Sequence, residues 1–136
     1  MLAAASASSL ALACSVPAAS GAGARVFMSA NAGATWQASG TLAGATVTSA
    51  AAQPGGEIIL ATSGGLQVSR DNGASWRRAL AAPGSAGAAG PAGGFSFAGM
   101  TSPRQGVAVP ADPSQHAIWF TFTPGRAWRR SPVAGP

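Results

Sequence analysis

Short runs of β-branched, aromatic and small apolar residues alternate with clusters of Gly, Pro, Ser and Asn from Leu10 to the end of the chain. Runs bounded in this way by turn formers read as strands. Three stretches repeat one phrase: Arg25 to Trp36, Gly65 to Trp76 and Ala117 to Trp128 each hold an apolar run, then a turn, then a tryptophan. Their anchor residues, Ser29, Ser69 and Thr121, stand 40 and 52 residues apart. Periods near 40–50 residues belong to propeller blades, and leucine-rich and ankyrin repeats are too short to compete. Working outwards from each turn, the second unit reads as strands over 45–52, 57–62, 66–69 and 76–80, with turns at 53–56 and 63–65. The third reads as strands over 95–101, 106–110, 117–122 and 128–133, and the first as 10–16, 25–29 and 36–39 with no opening strand. Between the second and third units a Gly/Ala/Pro stretch reads as a flexible connection.

The repeated turn has a physical logic. In a hairpin loop an Asp or Asn accepts hydrogen bonds from backbone N–H groups further along, and a Gly takes positive φ without steric cost. Asp71 and Gly73 hold those places in the second copy, flanked by Ser69 and Ser75, whose hydroxyls can tie to the same loop. Trp76 opens the return strand and buries a large apolar face with an N–H still able to find a partner. In the first copy Ser29, Asn31, Gly33, Thr35 and Trp36 play these parts, with Asn for Asp. Thr121, Thr123, Gly125 and Trp128 form a degenerate third copy, expected to make a looser turn.

These residues resemble the Asp-box, or BNR, repeat, Ser-x-Asp-x-Gly-x-Thr/Ser-Trp, which in that family joins the third and fourth strands of a propeller blade. Ser69 to Trp76 matches at every motif position. The stretch Gly99 to Val109 is similar to a phrase of bacterial relatives of the photosystem II stability and assembly factor type, and sialidases carry the box more distantly. The resemblance implies an all-β fold, a partial β-propeller of about three four-stranded antiparallel blades. Blade one would span about 9–40 and be incomplete, blade two 44–82 and blade three 94–134, with 83–93 as the connection. Closed propellers have four to eight blades, so the chain reads as a propeller fragment, an open arc, or a piece that assembles with other chains. An isolated arc exposes strand edges and an apolar blade face.

Composition narrows the chemistry. Only 8% of residues are charged, so little charge is available for a multi-acid active site. The net charge of +5 comes from eight Arg and no Lys set against Glu57, Asp71 and Asp112. Arginine binds phosphate bidentately, but these arginines are scattered along the chain and follow repeat positions, and no DNA or RNA partner is expected. Cys14 is the single cysteine, which excludes an internal disulfide and a Cys-based zinc site. The apolar, small-residue segment 1–19 invites comparison with a secretory leader, and 10–14 with a lipoprotein box. It lacks a basic residue before Arg25, and Ser6, Ser8 and Ser9 interrupt it. The alternative is a buried strand over 9–16 with Cys14 as a small core residue. No segment reaches the ~18 apolar residues of a membrane helix.

A sialidase-like site would need a Tyr nucleophile, a partner carboxylate and an Arg cluster, and the chain has no Tyr. Glu57 reads as a solvated edge residue, Asp71 is committed to its turn, and Asp112 is left alone. His116 has no neighbouring Cys or second His, and Ser114 beside it lacks a nucleophile elbow, so no catalytic, cofactor or metal site is assigned. The pairs Arg77-Arg78 and Arg129-Arg130 recur just after the box tryptophans. They are candidates to receive an acidic partner segment, and otherwise are charges that keep outer strand edges from pairing. Alternation puts the two members of each pair on opposite faces. Trp36, Trp76 and Trp128 read as blade packing, whereas Trp119 has no box role and is open to a binding function. The sequence therefore points to a non-catalytic scaffold whose partner is a protein or the missing blades of its own propeller. A glycosidase remnant and a carbohydrate- or anion-binding module are the alternatives. The family resemblance implies an extracytoplasmic location.

Overall fold

The computed structural model describes residues 1–16, 23–81, 90–123 and 127–134. Among them, twelve strands form three separate four-stranded antiparallel sheets. Blade one comprises β1 (Leu2–Ala4), β2 (Leu10–Val16), β3 (Gly23–Ser29) and β4 (Gln37–Ala43). Blade two comprises β5 (Val47–Ala52), β6 (Ile58–Thr62), β7 (Gly65–Ser69) and β8 (Arg77–Ala81). Blade three comprises β9 (Phe95–Ser102), β10 (Gln105–Pro110), β11 (Ala117–Thr123) and β12 (Ala127–Pro132). Each sheet runs in simple meander order, as in a propeller blade.

Blade one is complete, a correction to the expectation of a missing first strand. Its opening strand pairs only Leu2, Ala3 and Ala4 with Leu12, Ala11 and Leu10. Three small or unbranched residues carry no readable alternation, so this strand left no signal. A serine-rich turn makes the return to β2, with the Ser8 and Ser9 N–H groups donating to Ser6 Oγ at 3.3 and 3.0 Å. Residues 10–16 form a strand as one of the two readings had it, but Cys14 is exposed and is no core residue. Alternation buries Ala11 and Ala13 and turns Cys14 outward. Residues 90–93, expected within a flexible connection, lie at a turn in which Gly94 N–H donates to the Pro91 carbonyl at 3.2 Å. The remainder of that connection, 83–89, lies outside the described residues, as do 17–19 of the leader-like segment and Gly125 of the third box.

Two apolar layers hold the blades together. Ala11, Ala13, Ala24, Val26 and Leu42 of blade one meet Val47, Ile58 and Leu60 of blade two. On the other side Ile59, Ala61, Leu66 and Val68 of blade two meet Phe95, Ala98, Ala108 and Trp119 of blade three. The alternation of β6 feeds both layers, Ile58 and Leu60 into one and Ile59 and Ala61 into the other. All five residues of β6 and all five of β7 are therefore buried. The inner strands also lock by hydrogen bonds: Thr48 and Ser49 hydroxyls donate to the Phe95 and Ala98 carbonyls at 2.6 and 3.2 Å.

Candidate functional site

The first two box turns are built from local side-chain and backbone hydrogen bonds. In the second box the Asp71 carboxylate accepts from Ser69 Oγ at 2.7 Å, from Ser75 N–H at 2.9 Å and from the Ser75 hydroxyl. Ser69 Oγ in turn accepts from Gly73 N–H at 2.7 Å. The Ala74 N–H closes the turn on the Asp71 carbonyl at 3.2 Å, and Asn72 and Gly73 both take positive φ, 55° and 85°. Positive φ at both central positions defines a type I′ turn, whose twist matches a hairpin. The Ser75 side-chain and backbone bonds, then Ser69, hold the Asp71 carboxyl down to about 2. The first box repeats the scheme: Asn31 Oδ1 accepts from Ser29 Oγ at 3.0 Å and Thr35 N–H at 2.9 Å, and Ser29 Oγ accepts from Gly33 N–H at 2.9 Å. In the third, Thr121 Oγ1 donates to the Thr123 carbonyl at 2.8 Å and accepts its N–H at 3.1 Å.

The box tryptophans differ among themselves. Trp36 is 37% exposed, whereas Trp76 and Trp128 are partly buried. Contrary to expectation, the buried indole N–H groups of Trp76 and Trp128 find no hydrogen-bond partner among the described residues.

Each of the three carboxylates has its own surroundings. Asp112 caps the 3₁₀ turn Pro113–Gln115 by accepting from Ser114 N–H at 2.9 Å. Glu57 is not the solvated edge residue expected from its place beside a Gly-Gly turn. It is half-buried, and its Oε1 is buried without a hydrogen-bond partner among the described residues. Burial pushes its carboxyl above the ordinary range, against the pull of the Arg70 and Arg77 charges and a hydrogen bond with Gln53. The β5–β6 turn folds under the box loop, with Asn72 N–H on the Gly56 carbonyl at 3.0 Å, and this brings Glu57 inward.

The arginine pairs divide between two faces. Arg77 pairs with Val68 and Arg78 with Gln67 across the β7–β8 ladder. Arg77 acts on Glu57, while Arg78 turns towards blade one. Arg129 lies opposite Phe120, and Arg130 opposite Trp119. Arg130 stacks 5.8 Å from the Trp119 ring centre and donates to the Gln115 carbonyl at 3.0 Å. Trp119 itself is only 5% exposed and meets Phe95 edge-on with ring centres 5.5 Å apart. The binding role left open for Trp119 is therefore corrected to a core role: alternation along β11 turns it into the layer between blades two and three.

Arg78 lines a groove of about 510 Å³ between the outer strands of blades one and two, with Thr41, Gln67, Ser75 and Trp76. No carboxylate is among its described lining residues. Elsewhere β4 and the second box loop are joined where Ser39 Oγ donates to the Asn72 carbonyl. Sequence reasoning flagged Arg78 and Trp76 but missed Thr41 and Gln67, which become neighbours only when two blades pack.

No protein-family model and no curated protein matches the sequence. Among solved structures the chain is similar to YCF48 bound to a D1 peptide, with a TM-score of 0.64 at 16% identity, covering 95% of this chain and 38% of that one. It is also similar to the GH74 xyloglucanase from Xanthomonas campestris, with a TM-score of 0.66 at 24% identity, covering 99% of this chain and 23% of that one. The chain thus has the β-propeller fold and spans well under half the length of either neighbour.

Proposed function

We propose that the chain is a non-catalytic propeller scaffold that holds an extended, acid-bearing segment of a partner protein in the groove beside Arg78. The observation that carries this reading is the groove itself, an inter-blade cleft with an arginine directed into it and no acid among its described lining residues. The net charge of +5 favours an acidic occupant. The unpaired outer edge of β4 runs along the cleft and offers backbone groups to an added strand. That one solved neighbour carries a bound peptide is compatible with this use of the fold. Binding of a fluorescent Glu-rich peptide, followed by anisotropy, tests the reading. Binding should weaken with added salt and fall at least several-fold in Arg78→Ala while Arg104→Ala leaves it unchanged. Equal binding by both variants would overturn it.

A second reading has one specific observation behind it. A half-buried carboxyl with a raised pKa is what a glycosidase acid requires, and Glu57 is such a group. The other two carboxylates, Asp71 and Asp112, are each engaged in hydrogen bonds of their own turns, which disfavours either as its base or nucleophile partner. Turnover of aryl-glycosides or xyloglucan that disappears in Glu57→Gln would establish this reading and displace the scaffold.

A further inference from the structure

Strand register puts the three blades in one frame. The box residues Ser29, Ser69 and Thr121 pair across their hairpins with Leu10, Ile58 and Gly106. Counted from those pairs, Ala11, Ala13, Val26 and Met28 of blade one occupy equivalent places and face blade two. In blade two the same places hold Ile59, Ala61, Leu66 and Val68, which seal against blade three. In blade three they hold Val107, Val109, Ile118 and Phe120, all apolar. None of these four belongs to either buried layer between the blades. The face continues into Phe97 and Phe122, which are 48% and 62% exposed.

The opposite faces follow the same rule. Ile58 and Leu60 turn from blade two onto blade one. Their equivalents in blade one are Leu10 and Leu12, which with Phe27 and Leu2 look away from the other blades. Leu2 is 61% exposed. A repeat built to stand at the end of an array presents a polar outer face; here Arg129 and Ser131 lie among the forward positions and Arg25, opposite Cys14, among the rear ones, but most of each face is apolar.

We propose that two copies of the chain pair head to tail, blade three of each seated on blade one of the other, to close a six-bladed ring. The argument is continuity: the two bare faces are the two halves of a contact the chain already makes twice, from blade one to two and from blade two to three. A second copy supplies both halves at once. Six blades lie within the range in which propellers close, and the two equivalent contacts, related by a twofold axis, close the ring and stop the assembly at two.

The full chain, measured by light scattering behind a sizing column, should run at twice the 13.1 kDa of one chain. Phe97→Glu on the forward face and Leu2→Glu on the rear face are exposed sites, and circular dichroism checks that each variant keeps its strands. Each variant alone should be monomeric. An equimolar mixture should recover a dimer, because the intact rear face of one meets the intact forward face of the other. Only a head-to-tail contact behaves in this way. Cys14, exposed on the rear face of blade one, gives a second readout: its reaction with a thiol reagent should be slow in the parent protein and fast in Phe97→Glu. A parent that is monomeric at every concentration overturns the proposal. So does a dimer that survives both substitutions, a mixture that stays monomeric, or a polymer that grows without limit.

Discussion

Ala32 is the residue at which the first box pays most for its sequence. It holds φ at 56°, in the place where the second box has Asn72 at 55°. The left-handed region costs an L-residue roughly 1–2 kcal/mol, and Asn visits it more easily than Ala because its side chain bonds locally. Ala32→Asn is therefore expected to stabilise the chain by about 1 kcal/mol. Urea unfolding checks this, and an unchanged midpoint would show that the turn carries no strain. The two described acids with the clearest surroundings should act in opposite directions on stability. Asp71 has its carboxyl lowered from 3.8 to about 2 by Ser75 and Ser69. Its contribution is complete above 3.8 and is lost as pH falls towards 2. Glu57 is raised above 4.5 by burial, so its contribution is complete below 4.5 and is lost as pH rises through the raised value. Melting temperatures followed from acid to neutral pH should show Asp71→Asn flattening the acid limb and Glu57→Gln flattening the rise-side loss. If Glu57→Gln melts lower than the parent at neutral pH, the buried carboxylate is held by its arginines more firmly than its burial opposes it.

At the scale of elements, the box loop does more than close a hairpin. Gly73 is buried against blade one, where a Cβ would come within 3.0 Å of Val26, and Gly40 on β4, the ladder partner of Val26, approaches it from the same blade face. A Cβ at Gly40 would lie 2.1 Å from the Gly73 carbonyl oxygen, which is backbone and cannot swing aside. Gly40→Ala should therefore force blades one and two apart and cost about 1–3 kcal/mol, the usual range for overpacking. Parent-like thermal stability in that variant would mean that the two blades are not held at this spacing. The same join explains what was legible in the chain. Strands β5 to β12 could be placed from apolar runs and turn residues because Ile58 to Thr62 or Ala117 to Phe122 are strongly strand-like and bounded by Gly, Pro or Ser. The start of β3 at Gly23, the reach of β4 to Ala43 and all of β1 could not, since Ala and Gly carry almost no local preference and these strands are specified by the sheets and blades they join. Among the functional candidates, the box residues were visible because their bonds are local. The surroundings of Glu57, Trp119 and Arg78 were hidden because each is set by a partner on another strand or another blade.

For the whole molecule, the architecture is a short one-dimensional array, and stability in such arrays is a sum of repeat terms and contacts between nearest neighbours. Blade two has two such contacts, and blades one and three have one each. Hydrogen exchange should reflect that inequality, because amides exchange through the cheapest local opening available to them. The slowest amides are expected in β6 and β7, whose residues are all buried. The fastest strand amides should lie in β1, which has only three ladder pairs, and in β12, most of whose side chains face solvent. Uniform exchange across the three sheets would show instead that the blades open as one unit. The concentration dependence separates the internal hierarchy from the association argued above. Protection in β6 and β7 depends on contacts within one chain and should be insensitive to dilution. Protection in blade one and blade three should fall on dilution if their outer faces are covered by a second copy, since dissociation then precedes opening.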